Sequence, residues 1–346
     1  FGSYFFSVNK PLALDMAGDY SCLVTDALGT PTTSDAVTLE VAHTFAIDVQ
    51  PAGARAYLDD AVSLSVELTG GYTPFVYQWS KDGSPLDGAT SATYTIPAVG
   101  VESAGTYRCR IADDLGTELV SDEAVLDVAE GFEIVSAPAS ARAYIDASHV
   151  FEIAVDGGYP PYAYQWRKNG QPIPEATAET YDTGALALDD AGEYTCAVTD
   201  DTGAQLLTPA ATLQVAAPPA VATEPVGARR YVGTTHSFSV AASGGYTPYV
   251  YQWRKDGKAI AGATGATYAT GALTLADTGA YTCAISDDLG TVILSAAAQL
   301  DIAAPPVVAT PPQHARRYVD EAHTFSVAAE GGTTPYSYQW QHDGQP

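Results

Sequence analysis

The chain has 346 residues and a formal net charge of −26, from 41 acidic and 15 basic residues, and 46% of its residues are hydrophobic. This apolar content supports packed cores and argues against disorder, and the length suits three or four small domains. The acidity argues against binding to nucleic acid or to an anionic membrane surface, and no apolar run reaches the roughly 18 residues of a membrane-spanning helix.

The predicted elements repeat every 87 residues along the chain. The repeat is marked by Cys22, Cys109, Cys196 and Cys283 and by Trp79, Trp166, Trp253 and Trp340. Within one unit, alternation at residues 237–241 and 249–253 predicts half-buried strands, and Tyr281 and Cys283 share one strand face. Turns are predicted at residues 256–257 and 287–290. Because no stretch reads as a helix, the sequence predicts an all-β fold of tandem β-sandwiches in a rod.

The repeat divides the chain into five pieces. Residues 43–129, 130–216 and 217–303 are predicted to be complete modules, residues 1–42 the C-terminal half of a module, and residues 304–346 the N-terminal half. Proline-rich junctions at 217–219 and 304–306 predict stiff connections. Two interpretations of the halves stay open. The sequence is a window of a longer array, or the tail of one copy completes the head of the next in a head-to-tail filament.

Three motifs of the repeat resemble the immunoglobulin superfamily. They are the Tyr-Gln-Trp phrase, the Lys-Asp-Gly that follows it at 255–257, and the Asp-x-Gly-x-Tyr-x-Cys at 277–283. The resemblance is closest to intermediate-type domains, and it implies a tandem array of immunoglobulin-like β-sandwiches. It places the tryptophans and cysteines of the repeat in the cores, together with the tyrosine-corner residues Tyr20, Tyr107, Tyr194 and Tyr281.

Each module departs from that family at its second cysteine. The positions expected for it hold Val66, Ile153, Val240 and Val327. The remaining cysteines lie one domain length apart, about 35 Å, too far for a disulfide within the chain. Two interpretations remain: a buried thiol packed against the tryptophan, or an interchain disulfide that needs a surface thiol. The missing bridge and the Gly-Gly-x-x-Pro-Tyr phrase at 244–249 make the modules similar to bacterial cell-surface immunoglobulin-like domains, which implies a prokaryotic extracellular protein.

Paired aspartates that precede a glycine are the candidate metal ligands. They are Asp113, Asp114, Asp200, Asp201, Asp287 and Asp288. A calcium site would need further oxygen ligands from another loop, whereas Asp and Gly form a tight turn without any ion. We therefore predict a tight turn at each aspartate pair, with a calcium site as the alternative. We expect no other cofactor, because the six histidines show no metal-ligand spacing and no catalytic set or phosphate loop stands out.

Two recurring residue types are candidates for contacts between modules. The arginines are Arg55, Arg142, Arg229 and Arg316, and the loop tyrosines are Tyr72, Tyr159 and Tyr246. Each arginine either pairs with an acidic loop of the adjacent module or packs its stem over the edge of its own module. Each tyrosine either binds sugars or partner rods, or serves only the fold.

These observations predict a non-catalytic protein at the cell surface or outside the cell. The favoured function is a structural component of a filament, stalk or sheath, with other copies of the chain as partners through head-to-tail continuation and lateral association. The alternative is an adhesin that binds glycans or the surface of another cell. An enzyme is not expected, because exact repetition leaves no unique cluster of reactive residues.

Overall fold

The computed structural model describes residues 2–7 and 10–346, so Phe1, Val8 and Asn9 of the first half-module lie outside the described residues. In this described part, the regular structure consists of β-strands and short 3-10 turns, so the predicted all-β fold is confirmed. Nor does this part contain a helix long and apolar enough to cross a membrane.

The three complete modules have matching strands. In residues 43–129 these are Ala46–Val49, Ala54–Tyr57, Val62–Ser65, Glu67–Thr69, Val76–Lys81, Ser84–Pro85, Thr93–Ile96, Gly105–Ala112, Glu118–Val120 and Ala124–Ala129. In residues 130–216 they are Glu133–Ser136, Ala141–Tyr144, Val150–Glu152, Ala154–Asp156, Ala163–Lys168, Gln171–Pro172, Thr180–Asp182, Gly192–Thr199, Gln205–Leu207 and Ala211–Ala216. In residues 217–303 they are Ala220–Thr223, Ala228–Tyr231, Ser237–Ser239, Ala241–Ser243, Val250–Lys255, Lys258–Ala259, Thr267–Ala269, Gly279–Ser286, Val292–Leu294 and Ala298–Ala303.

The two ends of the chain contain fewer elements. Residues 10–42 form the strands Gly18–Tyr20, Leu23–Thr25, Pro31–Thr33 and Val37–Leu39, and residues 304–346 form Val307–Thr310 and Ala328–Glu330. A 3-10 turn precedes the tyrosine corner of each unit, at Leu14–Met16, Val101–Ser103, Leu188–Asp190 and Leu275–Asp277.

Each complete module is a sandwich of two sheets, as residues 130–216 illustrate. In the larger sheet the central strand Gly192–Thr199 pairs antiparallel with Ala163–Lys168 and with Ala211–Ala216, and Cys196 lies opposite Trp166. Strand Ala141–Tyr144 adds to the edge in parallel with Ala211–Ala216. The smaller sheet is built from antiparallel pairs of the early strands. Side chains alternate between the core and solvent along these strands, as period-2 sequence patterns require.

Aromatic side chains fill the core of each complete module. Trp166 is 0% exposed, and its indole Nε1 donates to the carbonyl of Ala178 at 2.9 Å. The Phe151 ring stacks on Tyr194 with centroids 4.6 Å apart, and the Tyr194 hydroxyl donates to the carbonyl of Asp190 at 2.8 Å. The buried tyrosine hydroxyl therefore has a partner, and the rings supply the apolar area that seals the sandwich.

The cysteines of the complete modules are buried free thiols. Cys109, Cys196 and Cys283 are 0% exposed. The residues at the position of the missing second cysteine are also buried in the module cores, namely Val66, Ile153 and Val240. Burial raises the pKa of Cys109 and of Cys196 to about 11. A surface thiol, which an interchain disulfide requires, is therefore absent from these three positions, and the buried thiol is the interpretation that fits the structure.

Three residues predicted to lie in cores are exposed. Cys22 is exposed, Tyr20 is 36% exposed and Trp340 is 48% exposed. The reason is local, because residues 1–42 and 304–346 each contribute only one half of a sandwich around these side chains. The prediction of a closed core therefore does not hold at these positions of the chain.

Candidate functional site at the module junctions

A short linker joins successive modules, and its backbone contacts a pair of glycines in the following module. Between the second and third complete modules, only residues 217–219 separate strand Ala211–Ala216 from strand Ala220–Thr223. The amide of Gly245 donates to the carbonyl of Ala217 at 2.7 Å. Gly244 has a φ of +68°, and a Cβ there would lie 2.3 Å from the carbonyl oxygen of Pro218. This close approach explains the Gly-Gly pair of every repeat.

The glycine pair begins the Gly-Gly loop, defined as residues 70–75, 157–162, 244–249 and 331–336. In three repeats the next residue is a tyrosine whose hydroxyl bonds to the preceding module. The Tyr159 hydroxyl donates to the carbonyls of Ala56 and Asp127 at 2.9 and 2.8 Å and lies 3.2 Å from the amide of Ala56. Tyr246 repeats the pattern on Ala143 and Gln214 at 2.9 and 2.8 Å.

Tyr72 is placed in the same way, and its hydroxyl donates to the carbonyl of Glu40 at 3.0 Å. Tyr159 is only 7% exposed. The loop tyrosines of the complete modules therefore serve the junction. The predicted alternative, that they present themselves to sugars or partner rods, is wrong for Tyr159, because its ring is packed between two modules.

The paired aspartates form the Asp-Asp turn, defined as residues 113–116, 200–203 and 287–290. The first aspartate of the pair ties this turn to the Gly-Gly loop and to the preceding module. One carboxylate oxygen of Asp200 accepts from the amide and hydroxyl of Thr202 at 2.9 and 2.7 Å. The other accepts from the amide of Tyr159 at 3.0 Å and from the hydroxyl of Tyr57 in the preceding module. Asp287 bonds likewise to Tyr246 and Tyr144.

These hydrogen bonds change the acidity of the first aspartate. Burial raises the pKa of Asp200, but the bonds from Thr202, Tyr57 and the backbone of Tyr159 outweigh burial and hold the pKa below its ordinary range. The same balance lowers the pKa of Asp287. Both carboxylates are therefore ionised at neutral pH, with both oxygens engaged by the protein.

The second aspartate of the turn pairs with an arginine of the preceding module. The guanidinium of Arg55 lies 2.5 Å from Asp201 and 5.4 Å from the centre of the Tyr159 ring. Arg142 lies 2.7 Å from Asp288 and 5.3 Å from the Tyr246 ring. Because these charged groups are 40–51% exposed, each pair contributes little energy by itself. Each guanidinium thus contacts both the Asp-Asp turn and the loop tyrosine of the neighbouring module.

The other two candidate arginines are placed differently. Arg229 lies 3.6 Å from Asp301 on the adjacent strand of its own module, and Arg316 has no ion-pair partner within the described residues. By the 87-residue step, the Asp-Asp turns that would face these two arginines fall after residue 346, so pairing with a next module stays a prediction for both. Within the described residues, Arg229 contacts its own module.

The site offers hydrogen bonds and charge pairing but no clustered reactive groups. Asp113 follows the pattern of Asp200, since its carboxylate accepts from the amides of Thr117 and Tyr72. Among residues 2–7 and 10–346, no three His, Cys, Asp or Glu side chains form a group that could hold a metal ion. The chemistry of the junction is therefore the docking of one module on the next.

Two features escaped the sequence predictions although the sequence contains them. His149, His236 and His323 step by 87 residues, and each ring packs edge-on against a phenylalanine two residues later, with centroids 4.5 to 4.6 Å apart. In the Gly-Gly loop of the last repeat, Thr333 stands where Tyr72, Tyr159 and Tyr246 stand in the others. Aligning the repeats at every position, rather than at their cysteines and tryptophans, would have revealed both.

Comparison with known proteins finds relatives and a solved structure that this chain resembles over most of its length. No protein-family model matches the chain. The chain is 28% identical to hemicentin-1 of Mus musculus over 297 residues, which cover 80% of this chain and 5% of that protein. It is 27% identical to roundabout homolog 1 of Homo sapiens over 361 aligned residues, which cover 94% of this chain and 21% of that protein.

Two further similarities concern a short stretch of the sequence and the fold. A 53-residue stretch is 49% identical to the decoration protein of Escherichia phage T5, covering 15% of this chain and 32% of that protein. The chain thus spans a third or less of the length of each of these relatives. Among solved structures, the I-band fragment I67–I69 of titin superposes with a TM-score of 0.56 at 20% identity, covering 75% of this chain and 98% of the fragment.

Proposed function

We propose that this tandem array of immunoglobulin-like β-sandwiches acts as a semi-rigid rod in an extracellular filament, stalk or sheath. The observation that carries the proposal is the repetition of one bonded junction. The loop tyrosine bonds to the same two backbone carbonyls at both complete junctions, with distances that agree within 0.1 Å. The recurrence of these bonds supports a junction that restrains the relative motion expected of linked domains.

The chemistry of the junction supports a mechanical role. Each junction combines a short linker, a buried phenol and an aspartate with both oxygens engaged, so bending it breaks several hydrogen bonds at once. The acidic surface supports an exposed rod that stays soluble. The proposed role is non-catalytic, because it requires only reach, stiffness and association with further copies.

Adhesion is the second candidate function. The similarity of a 53-residue stretch to a phage protein named as a decoration protein supports it. In this case the array would bind a glycan or a protein on another surface and present its modules there. The same rod geometry serves both functions, and the difference lies in what the sides and ends of the rod contact.

Electron microscopy of the purified chain and of native material tests the first proposal. Single chains should appear as straight rods of about 140 Å, from four module lengths of about 35 Å. Native material should show ordered polymers built on the 87-residue module. Isolated particles that bind a glycan array would support adhesion instead, and chains that bend freely at every junction would overturn the rod.

Arginine variants supply a matched test of the junction. Arg142→Ala removes a contact between modules, whereas Arg229→Ala removes a contact within one module. We expect the distance distribution between spin labels on residues 130–216 and 217–303 to broaden only for Arg142→Ala. Equal distributions for the two variants would show that the arginine does not orient the junction.

A further inference from the structure

Each junction has a receptacle that can hold the phenol ring of the loop tyrosine. At one junction this tyrosine is missing. At the first complete junction the receptacle consists of the backbone of Ala56, the carbonyl of Asp127 and the guanidinium of Arg55 over the ring. The second complete junction repeats it with Ala143, Gln214 and Arg142. By the 87-residue spacing, the corresponding residues of the next junction are Arg230, Asp301 and Arg229.

The next repeat brings Thr333 to this receptacle in place of a tyrosine. Strands Ala228–Tyr231 and Ala298–Ala303 pair in the same parallel register as at the other junctions, so the backbone groups are in place. Within the described residues, no side chain forms a hydrogen bond to the backbone of Arg230 or to the carbonyl of Asp301. A cavity of about 400 Å³ lies here, lined by Arg229, Arg230, Tyr231, Asp301, Ala303 and Thr333 among others.

We propose that this cavity, at the junction of residues 217–303 with residues 304–346, binds a phenol ring supplied from outside the chain. The hydroxyl donates to the carbonyls of Arg230 and Asp301 and accepts from the amide of Arg230. The guanidinium of Arg229 covers the ring face. The molecule itself holds the hydroxyls of Tyr159 and Tyr246 on the corresponding pairs of carbonyls, and the amide of Ala56 also donates to the hydroxyl of Tyr159.

The geometry also sets the selectivity of the site. A ring without a hydroxyl forms no hydrogen bonds to these backbone groups, which weakens its binding. An aliphatic ligand also loses the interaction between the guanidinium and the ring face. The predicted order of affinity is therefore phenol, then benzene ring, then alkyl group.

Titration of the full chain with p-cresol, followed by NMR of the Arg230 amide, tests the site. We expect saturable binding with a Kd on the order of 1 mM, as suits a ligand of this size. Toluene should bind at least about fivefold more weakly, because it lacks the hydroxyl. Thr333→Tyr should fill the receptacle with the phenol of the chain itself and abolish p-cresol binding. No saturable shift, or a shift that persists in Thr333→Tyr, overturns the proposal.

Tyr246→Thr is the matched variant at a junction that has its Asp-Asp turn. It should create a second site of the same kind, reported by the Ala143 amide. If the variant folds and no second site appears, then the receptacle alone does not bind phenols and the proposal fails. A circular dichroism spectrum equal to that of the parent chain establishes folding for this arm.

N-acetyltyrosinamide distinguishes the two sources of a phenol. Its flanking amides stand for those of a polypeptide. Tighter binding than p-cresol supports a tyrosine side chain of a protein as the natural occupant, and weaker binding supports a free phenolic molecule. Failure of both ligands overturns the site. None of these outcomes depends on whether the rod assembles into a filament, so the two proposals are tested separately.

Discussion

Tyrosine has different roles in the core of a module and at the junction between modules. Tyr194 is 1% exposed, and its hydroxyl bonds four residues back in the chain, within one turn of its own module. Tyr159 is 7% exposed, and its hydroxyl reaches Ala56, 103 residues away in another module. The core tyrosine holds a sandwich closed, whereas the junction tyrosine holds two sandwiches in register.

The comparison teaches which interactions provide stability and which provide orientation. The core excludes water from stacked rings, and its energy grows with the apolar area buried. The junction buries one ring and depends on hydrogen bonds and partly exposed charges, whose net contributions are small. Damage to the core should therefore unfold a module, while damage to the junction should only free it to move.

The largest effect is expected for Trp166→Ala in the core. Removing this fully buried ring should destabilise residues 130–216 by about 3–5 kcal/mol. Hydrogen exchange measured by mass spectrometry should show faster exchange in strands Ala163–Lys168 and Gly192–Thr199. Trp340→Ala is the control, because Trp340 is 48% exposed and should cost far less. Equal losses for the two variants would contradict the role assigned to the core.

A smaller effect is expected for Tyr159→Phe at the junction. The change keeps the ring but removes the hydrogen bonds of its hydroxyl to the preceding module, at a cost of about 1–2 kcal/mol to docking. The Ala56 amide should exchange faster by NMR. The Cys109 amide, which bonds to Ser121 inside the core, should not change. Faster exchange at Cys109 would mean that the variant loosens the module rather than the junction.

Acid should loosen the junctions, which stay bonded at neutral pH. Since the pKa values of Asp200 and Asp287 are lowered from 3.8 in the folded chain, protonation opposes docking. Their contribution is complete above that value and is lost as the pH falls through the folded pKa values. Small-angle X-ray scattering should show the same rod from pH 8 to 5 and a more flexible one below about pH 3. Loosening between pH 8 and 5 would require a different titrating group.

The smallest effect is expected for reducing agents, which should leave the stability of the chain unchanged. Cys109, Cys196 and Cys283 are buried free thiols, and burial raises the pKa of each. A thiol reagent should label Cys22 in the native chain and all four cysteines after unfolding. A melting temperature that falls on reduction would reveal a disulfide and contradict this account.

The sequence was sufficient to predict the modules because their signals are local or periodic. The phrase that ends in Trp166 and the phrase that ends in Cys196 each lie on a single strand, and an 87-residue step repeats both. The pairing of these two strands follows from the family that the motifs resemble. The arginine and tyrosine candidates were also visible, because they recur at the same step.

The partners at the junction could not be predicted in this way. Arg55 meets Asp201 across 146 residues, and no sequence spacing distinguishes that aspartate from the other acidic residues. Burial of Tyr159 depends on the angle between two modules, which a linker of a few residues does not reveal. The consequence of a threonine at position 333 could not be predicted either. It follows only from the other junctions, where a tyrosine at this position bonds to the preceding module.

The repeated junction has a geometric consequence for long arrays. If every step from one module to the next is the same rotation and the same translation, the array forms a superhelix. The placement of the loop tyrosine hydroxyl on two carbonyls then helps to set the pitch of that superhelix. Small angular differences at that contact then accumulate over many modules. A position such as Thr333 would act as a joint in an otherwise continuous superhelix.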